Sequence, residues 1–198
     1  MTDIVDGIYY RGLAEKDPVD VCRKTLCRYD DTKKCYMISA WGDAYGVFPH
    51  ERRIELLDGT TQRPHEFFYL FIVYYLLKSE GMVTAGEWIS EKDIPGGATF
   101  FRGPHEIPTR LISKRFGNDI EAFKKRGAAL HGTALDMGDA AFRFDIVPGI
   151  PVAVLYWAGD DEFPPEAKIL YDKSIPERLT LDIVFALAVA ICARLGKS

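Results

Sequence analysis

The longest apolar runs of the chain are Phe67 to Leu77 and Ile183 to Ala193, each eleven residues without a charge. A bilayer-spanning helix needs about 20 apolar residues, so both runs predict buried core helices and no membrane segment. The first helix is opened by Pro64-His65-Glu66, ends near Ser79 and has Gly81 placed as a left-handed cap. Apolar on every side, it is expected to be surrounded by other elements. The second lies in a helix from Leu181 to Arg194, begun by Thr180 and closed by Gly196.

Elsewhere the pattern changes to short apolar stretches cut by turn residues. Cys35 to Trp41 and Tyr45 to Leu57 read as an antiparallel pair of strands, broken at Gly42-Asp43 and closed by Asp58-Gly59. Ala140 to Val147 and Val152 to Trp157 form a second hairpin around Pro148-Gly149, and its second arm is apolar enough for a central strand. Ala167 to Tyr171 predicts a further strand. Asp17-Pro18 starts a helix with Val21, Cys22 and Leu26 facing inward, whereas Thr2 to Glu15 carries few landmarks. Gly86 to Pro108 is irregular. Two helices follow it, from Thr109 to Phe116 and from an Asn118 cap to Gly127 or Gly132. The chain is therefore expected to be a single α+β domain over residues 1–198. An antiparallel sheet would be packed by a buried central helix and a C-terminal helix.

Composition narrows the function classes. The chain is 47% hydrophobic and 27% charged, enough to bury a core without staples. A net charge of −4 gives no general attraction for nucleic acid. Four cysteines, Cys22, Cys27, Cys35 and Cys192, do not make a disulfide framework, and with no signal peptide the expectation is a cytoplasmic protein. Five residues of helix turn through about 140°, so Cys22 and Cys27 are not expected to share a face.

Two stretches stand out as candidate chemistry. Trp157 leads into Asp160, Asp161, Glu162, Phe163 and two prolines, a stiff acidic loop that ends in a run closed by Asp172. Such carboxylates suit a hard cation or a ligand's cationic group, or else form a solvated turn. Gly96-Gly97 followed by Phe100-Phe101 would allow close backbone approach to a flat ligand, or else form a turn with two aromatics packed inward. Three histidines recur as Pro-His-Glu, at His50, His65 and His105, which fits helix starts better than a metal centre. The basic residues Lys114, Arg115, Lys124, Lys125 and Arg126 read as a solvated face. No phosphate loop, dinucleotide fingerprint or nucleophile elbow is present in the sequence.

Several stretches together resemble an uncharacterised family catalogued as domain of unknown function 3786. They are Gly86-Glu-Trp-Ile-Ser90, Ile94-Pro-Gly-Gly-Ala98, Lys114-Arg-Phe-Gly117, Gly138-Asp-Ala-Ala-Phe142 and Trp157 to Asp172. The resemblance implies a place in the metabolism of anaerobic bacteria and archaea, near corrinoid or one-carbon chemistry. The cysteine-rich iron–sulfur module of some members is not in this sequence.

The leading expectation is a binding or accessory domain that holds a small cofactor or metabolite, with a tetrapyrrole or corrinoid as one candidate. Its ligand-binding residues would be Gly96, Gly97, Phe100, Phe101, Trp157, Asp160, Asp161, Glu162, Phe163 and Asp172. The alternatives are a carboxylate enzyme, with or without a divalent metal and with His105 as base, and a docking module whose acidic loop meets a partner of iron–sulfur or corrinoid type.

Overall fold

In the computed structural model, which describes residues 4–57, 63–81 and 83–197, the two apolar runs become the central helices. The chain order is α1 (Gly7–Ala14), α2 (Pro18–Thr25), β1 (Arg28–Asp30), β2 (Cys35–Ala40), β3 (Asp43–Phe48), β4 (Arg53–Leu56) and α3 (Glu66–Lys78). It continues with β5 (Trp88–Ser90), α4 (Gly97–Phe100), α5 (Arg110–Phe116), α6 (Ile120–Ala129), β6 (Thr133–Leu135), β7 (Ala140–Val147), β8 (Ile150–Trp157), β9 (Glu166–Asp172) and α7 (Leu181–Gly196).

The strands form two antiparallel sheets where one was expected. The first has four strands in the order β1-β2-β3-β4, the second five in the order β5-β9-β8-β7-β6. The Trp41 amide, at the tip of the β2–β3 turn, donates to the Ile146 carbonyl of β7 at 2.7 Å and ties the sheets together. One continuous core holds side chains of both sheets, including Tyr36, Tyr45, Phe144 and Val154, together with α3 and α7. No helix among the described residues is long and apolar enough to cross a membrane.

Side-chain alternation along β8 decides which residues face that core. Val152, Val154 and Tyr156 point into it, while Ala153, Leu155 and Trp157 point to the other face, into a small cluster with Ala141 and Leu170. Phe116 and Phe123, from α5 and α6, pack on the Tyr156 ring, whose hydroxyl donates to the Gly117 carbonyl at 2.5 Å.

Several local expectations are corrected. The stretch expected as one strand from Tyr45 to Leu57 is β3 and β4, separated by a turn in which Arg52 has φ of 51°. The preceding turn is centred on Trp41 and Gly42, not on Gly42-Asp43, since Ala40 pairs with Asp43. Helix α6 is capped by Asp119, whose carboxylate accepts from the Ala122 amide, and not by Asn118. Helix α3 ends at Lys78 with an extended Ser79 as its cap, so Gly81 plays no part in closing it. Helix α1, and strands β1, β5 and β6, were not expected. The expected Asp58-Gly59 turn lies outside the described residues.

Candidate functional site

The residues expected to bind a ligand fall into three separate groups. Phe101 belongs to the main core, and Phe100 is stacked on the His105 ring at 4.5 Å. Gly97 is buried because α4 lies against the turn after β5: a Cβ at this position would meet the Glu91 carbonyl oxygen at 1.9 Å. Phe101 also borders a cleft of about 420 Å³ that mixes Glu91 and Glu106 with Lys92 and Arg102.

The acidic loop closes on itself. One carboxylate oxygen of Asp160 accepts from the Glu162 amide at 2.8 Å and from the Phe163 amide at 2.7 Å. The Phe163 and Glu162 amides hold the Asp160 carboxyl below the ordinary aspartate range, opposite to the direction a general acid needs. The loop is fastened to the body by the Gly159 amide on Asn118 (2.9 Å) and the Ala158 amide on Asp139 (2.9 Å). Phe163 is 66% exposed, and Trp157 packs on the sheet face away from Phe101. No hydrogen bond, ion pair or ring contact among the described residues joins this loop to the Gly96–Phe101 segment.

Asp172 forms the third group, at the far end of β9. Six strand steps of about 3.3 Å separate it from Glu166, roughly 20 Å. Its carboxylate accepts from the amides of Ala85 (2.8 Å), Gly86 (2.8 Å) and Ser174 (3.0 Å), and from the Ser174 hydroxyl (2.6 Å). Burial pushes this carboxyl up, but the four hydrogen bonds outweigh burial and leave it below its ordinary value. The residue anchors the 83–87 strap to the end of β9.

A different place collects unspent polar groups. A cavity of about 270 Å³ lies where the β2–β3 turn, the lead into α3 and the last turn of α7 meet. Its walls include Trp41, Asp43, Arg63, His65, Arg194 and Lys197. Room for it comes from Ala190 and Ala193, small residues three apart and so on one face of α7.

The indole is held there by its backbone. Trp41 has φ of 47°, a left-handed conformation that bulky side chains rarely adopt, and Gly42 follows at 84°. Two positive φ values let the hairpin turn in two residues and direct the Trp41 ring between Phe68 and Phe144. Trp41 is 3% exposed, and its Nε1–H is buried without an acceptor among the described residues. A buried donor left unpaired costs about 1–3 kcal/mol, a cost the packing around the indole carries.

Around it the charge is positive. The Arg194 guanidinium lies 4.8 Å from the Trp41 ring centre and 2.8 Å from the Asp43 carboxylate, both partners of that ion pair being 19% exposed. Arg63 and Lys197 add two more cations, and nothing but Asp43 among the wall residues offsets them. The α3 N-terminus contributes further positive potential. The negative end of α7 is masked, because Arg126 donates to the Arg194 carbonyl and Arg115 to those of Leu195 and Lys197.

His65 completes the wall. Its Nδ1 accepts from the Phe67 amide at 3.2 Å as the α3 cap, which puts the proton of the neutral ring on Nε2. Burial, then the Lys197 charge, lowers its pKa, with Glu66 opposing. Below the ordinary imidazole value of about 6.5 and above the lowered one, the unfolded chain holds a proton that the folded chain does not. Stability is therefore expected to fall as pH drops through that window. His65→Asn keeps a capping side chain without titrating. It should flatten the slope in urea midpoints measured from pH 7 to 5, and an unchanged slope would remove His65 as its source.

A further cleft, about 550 Å³ beside Glu80, has its cations committed: Lys173 pairs with Glu87 at 2.9 Å, and Arg178 donates to the carbonyls of Gly81, Val83 and Gly149. Among the described residues no group of three or more histidine, cysteine or acidic side chains is arranged to hold a metal ion. The three Pro-His-Glu histidines are dispersed over a turn, the α3 cap and the Phe100 stack.

None of the ten expected binding residues lines the Trp41 cavity. Its walls come from segments up to 156 residues apart in sequence, Trp41 to Lys197, with no local motif. The only signals available were a tryptophan at a glycine turn and cations at helix ends. The family model described as "Domain of unknown function (DUF3786)" matches residues 17–194, nearly the whole chain. No curated protein and no solved structure matches it.

Proposed function

We propose, for a chain that belongs to this family of domains of unknown function, that it binds a small anionic metabolite in the Trp41 cavity. One observation carries the reading: three cations, offset by a single carboxylate, line one cavity of a protein whose net charge is −4. Arg63 and Lys197 would meet the acid's oxygens, and Arg194, fixed by Asp43 and the indole face, would orient it. The His65 Nε2–H supplies a further neutral donor.

Size selects among candidates. Small-molecule clefts usually enclose about 300–1,000 Å³. At about 270 Å³ the cavity suits a compact carboxylic or phosphorylated metabolite of the cytoplasm better than a tetrapyrrole. The role remains that of a ligand-holding accessory domain in the anaerobic metabolism suggested by the family resemblance.

Thermal shift and calorimetry with inorganic phosphate, sulfate, citrate, cobalamin, haem and flavin mononucleotide test this reading. A saturable response to one of the small acids is expected. Each charge-assisted hydrogen bond contributes about 1.5–3 kcal/mol, so Arg63→Ala and Lys197→Ala should each weaken binding about tenfold or more. Absence of any saturable small-acid response, or affinity unchanged in both variants, would refute it.

A further inference from the structure

Helix α2 does not continue through its second cysteine. It ends at Thr25, and Leu26 turns left-handed, with φ of 55° and ψ of 21°. That single residue reverses the chain's course and carries Cys27 back beneath the helix. The Cys22 and Cys27 sulfurs consequently lie 3.4 Å apart, where an unbroken helix would have turned them away from each other. Cys22 is half-buried and within reach of solvent, and Cys27 is buried. Cys35 and Cys192, both buried, form no such pair.

We infer that Cys22 and Cys27 are a reversible dithiol site that closes to a disulfide by exchange with a small-molecule disulfide. In the first step the Cys22 thiolate attacks one sulfur of the reagent, forming a mixed disulfide and releasing one thiolate. In the second the Cys27 sulfur, its proton passed to solvent, attacks the Cys22 sulfur and expels the second thiolate. Two electrons pass to the reagent, which becomes two thiols, and the protein loses two hydrogens.

The geometry favours closure over a lasting adduct. Sulfur atoms in a disulfide are about 2.05 Å apart, so the pair has little more than 1 Å to travel. Burial pushes the Cys27 thiol up to about 12. Its attack therefore accelerates with alkalinity, while the proximity of the two sulfurs keeps the mixed disulfide short-lived. Closure fastens the end of α2 to the segment entering β1 and fixes the strained turn at Leu26. This site is separate from the Trp41 cavity and does not depend on what binds there.

The test uses the full chain incubated with oxidised glutathione at pH 7 and 8.5, quenched in acid, and read by intact mass and tryptic mapping. Trypsin cuts after Arg23 and Lys24, between the two cysteines, so closure appears as two peptides joined by a disulfide that dithiothreitol separates. The expected product has lost two hydrogens, carries no glutathione, and forms several-fold faster at pH 8.5. Cys27→Ser should stop at the glutathione adduct on Cys22, and Cys35→Ser should behave as the parent. Persistence of the adduct on Cys22 in the parent, a disulfide mapped to Cys35 or Cys192, or no loss of hydrogens at either pH would overturn the assignment.

Discussion

Gly97→Ala is expected to destabilise the protein by about 3 kcal/mol, at the upper end of what overpacking by one methyl does. The added carbon would meet the Glu91 carbonyl oxygen at 1.9 Å, a backbone atom that cannot swing aside as a side-chain tip would. Either α4 lifts from the turn after β5 or that turn shifts, and both disturb Ile94 and Phe101 in the core. Urea denaturation should show the midpoint falling with little change in slope, and amides from 91 to 101 should exchange faster. Small-acid binding in the Trp41 cavity, walled by other elements, should survive at temperatures where the variant is folded. A variant as stable as the parent but unable to bind would instead make Gly97 a point of ligand approach.

Asp172→Ala should cost a comparable amount, about 2–4 kcal/mol. It removes a carboxylate that accepts four hydrogen bonds and strands donors around Ser174, which is buried. Ala85 and Gly86 lie at the surface, where water can replace part of what they lose, so the figure stays below a sum over four bonds. The sign with pH follows from the lowered carboxyl. Its contribution is fully present above the unfolded aspartate value of about 3.9 and disappears as pH falls through the folded value. The parent should therefore lose stability on acidification below about pH 4 more steeply than the variant. Parallel acid-unfolding curves for the two proteins would show that Asp172 does not anchor the 83–87 strap as described.

These two residues also show how far the sequence could be read. Gly97 and Asp172 were selected as ligand-binding residues because paired glycines and an acid at a strand end allow such a role. The same chemistry serves close backbone packing and strap anchoring, and only the partners distinguish the uses. Glu91 lies six residues from Gly97, but Ala85 and Gly86 are more than eighty from Asp172.

Elements that carry their own signal were legible. Helices α3 and α7 are too apolar to be anything but buried, and β7 and β8 are long runs meeting at Pro148-Gly149. Strands β1, β5 and β6 are three residues each and exist because a longer neighbour offers hydrogen bonds, which no local pattern announces. The cysteine pair was missed for a related reason. Helical spacing set Cys22 and Cys27 apart, and one left-handed leucine, a conformation foreign to that residue type, brought them together.

The brevity of the outermost strands has a consequence for how the protein behaves at high concentration. Both sheets end, on each margin, in strands of only three or four residues, β1 and β4 on one and β5 and β6 on the other. Margin β4 is further guarded by Arg53, paired with Glu51 and Glu55 and lying over the Phe48 ring. The outermost strands offer a second copy only three or four residues each, and the long, strongly apolar β8 is shielded between β7 and β9. Resistance to fibril growth is therefore expected to depend on the sheet margins, and lengthening β6 by grafted residues should lower it.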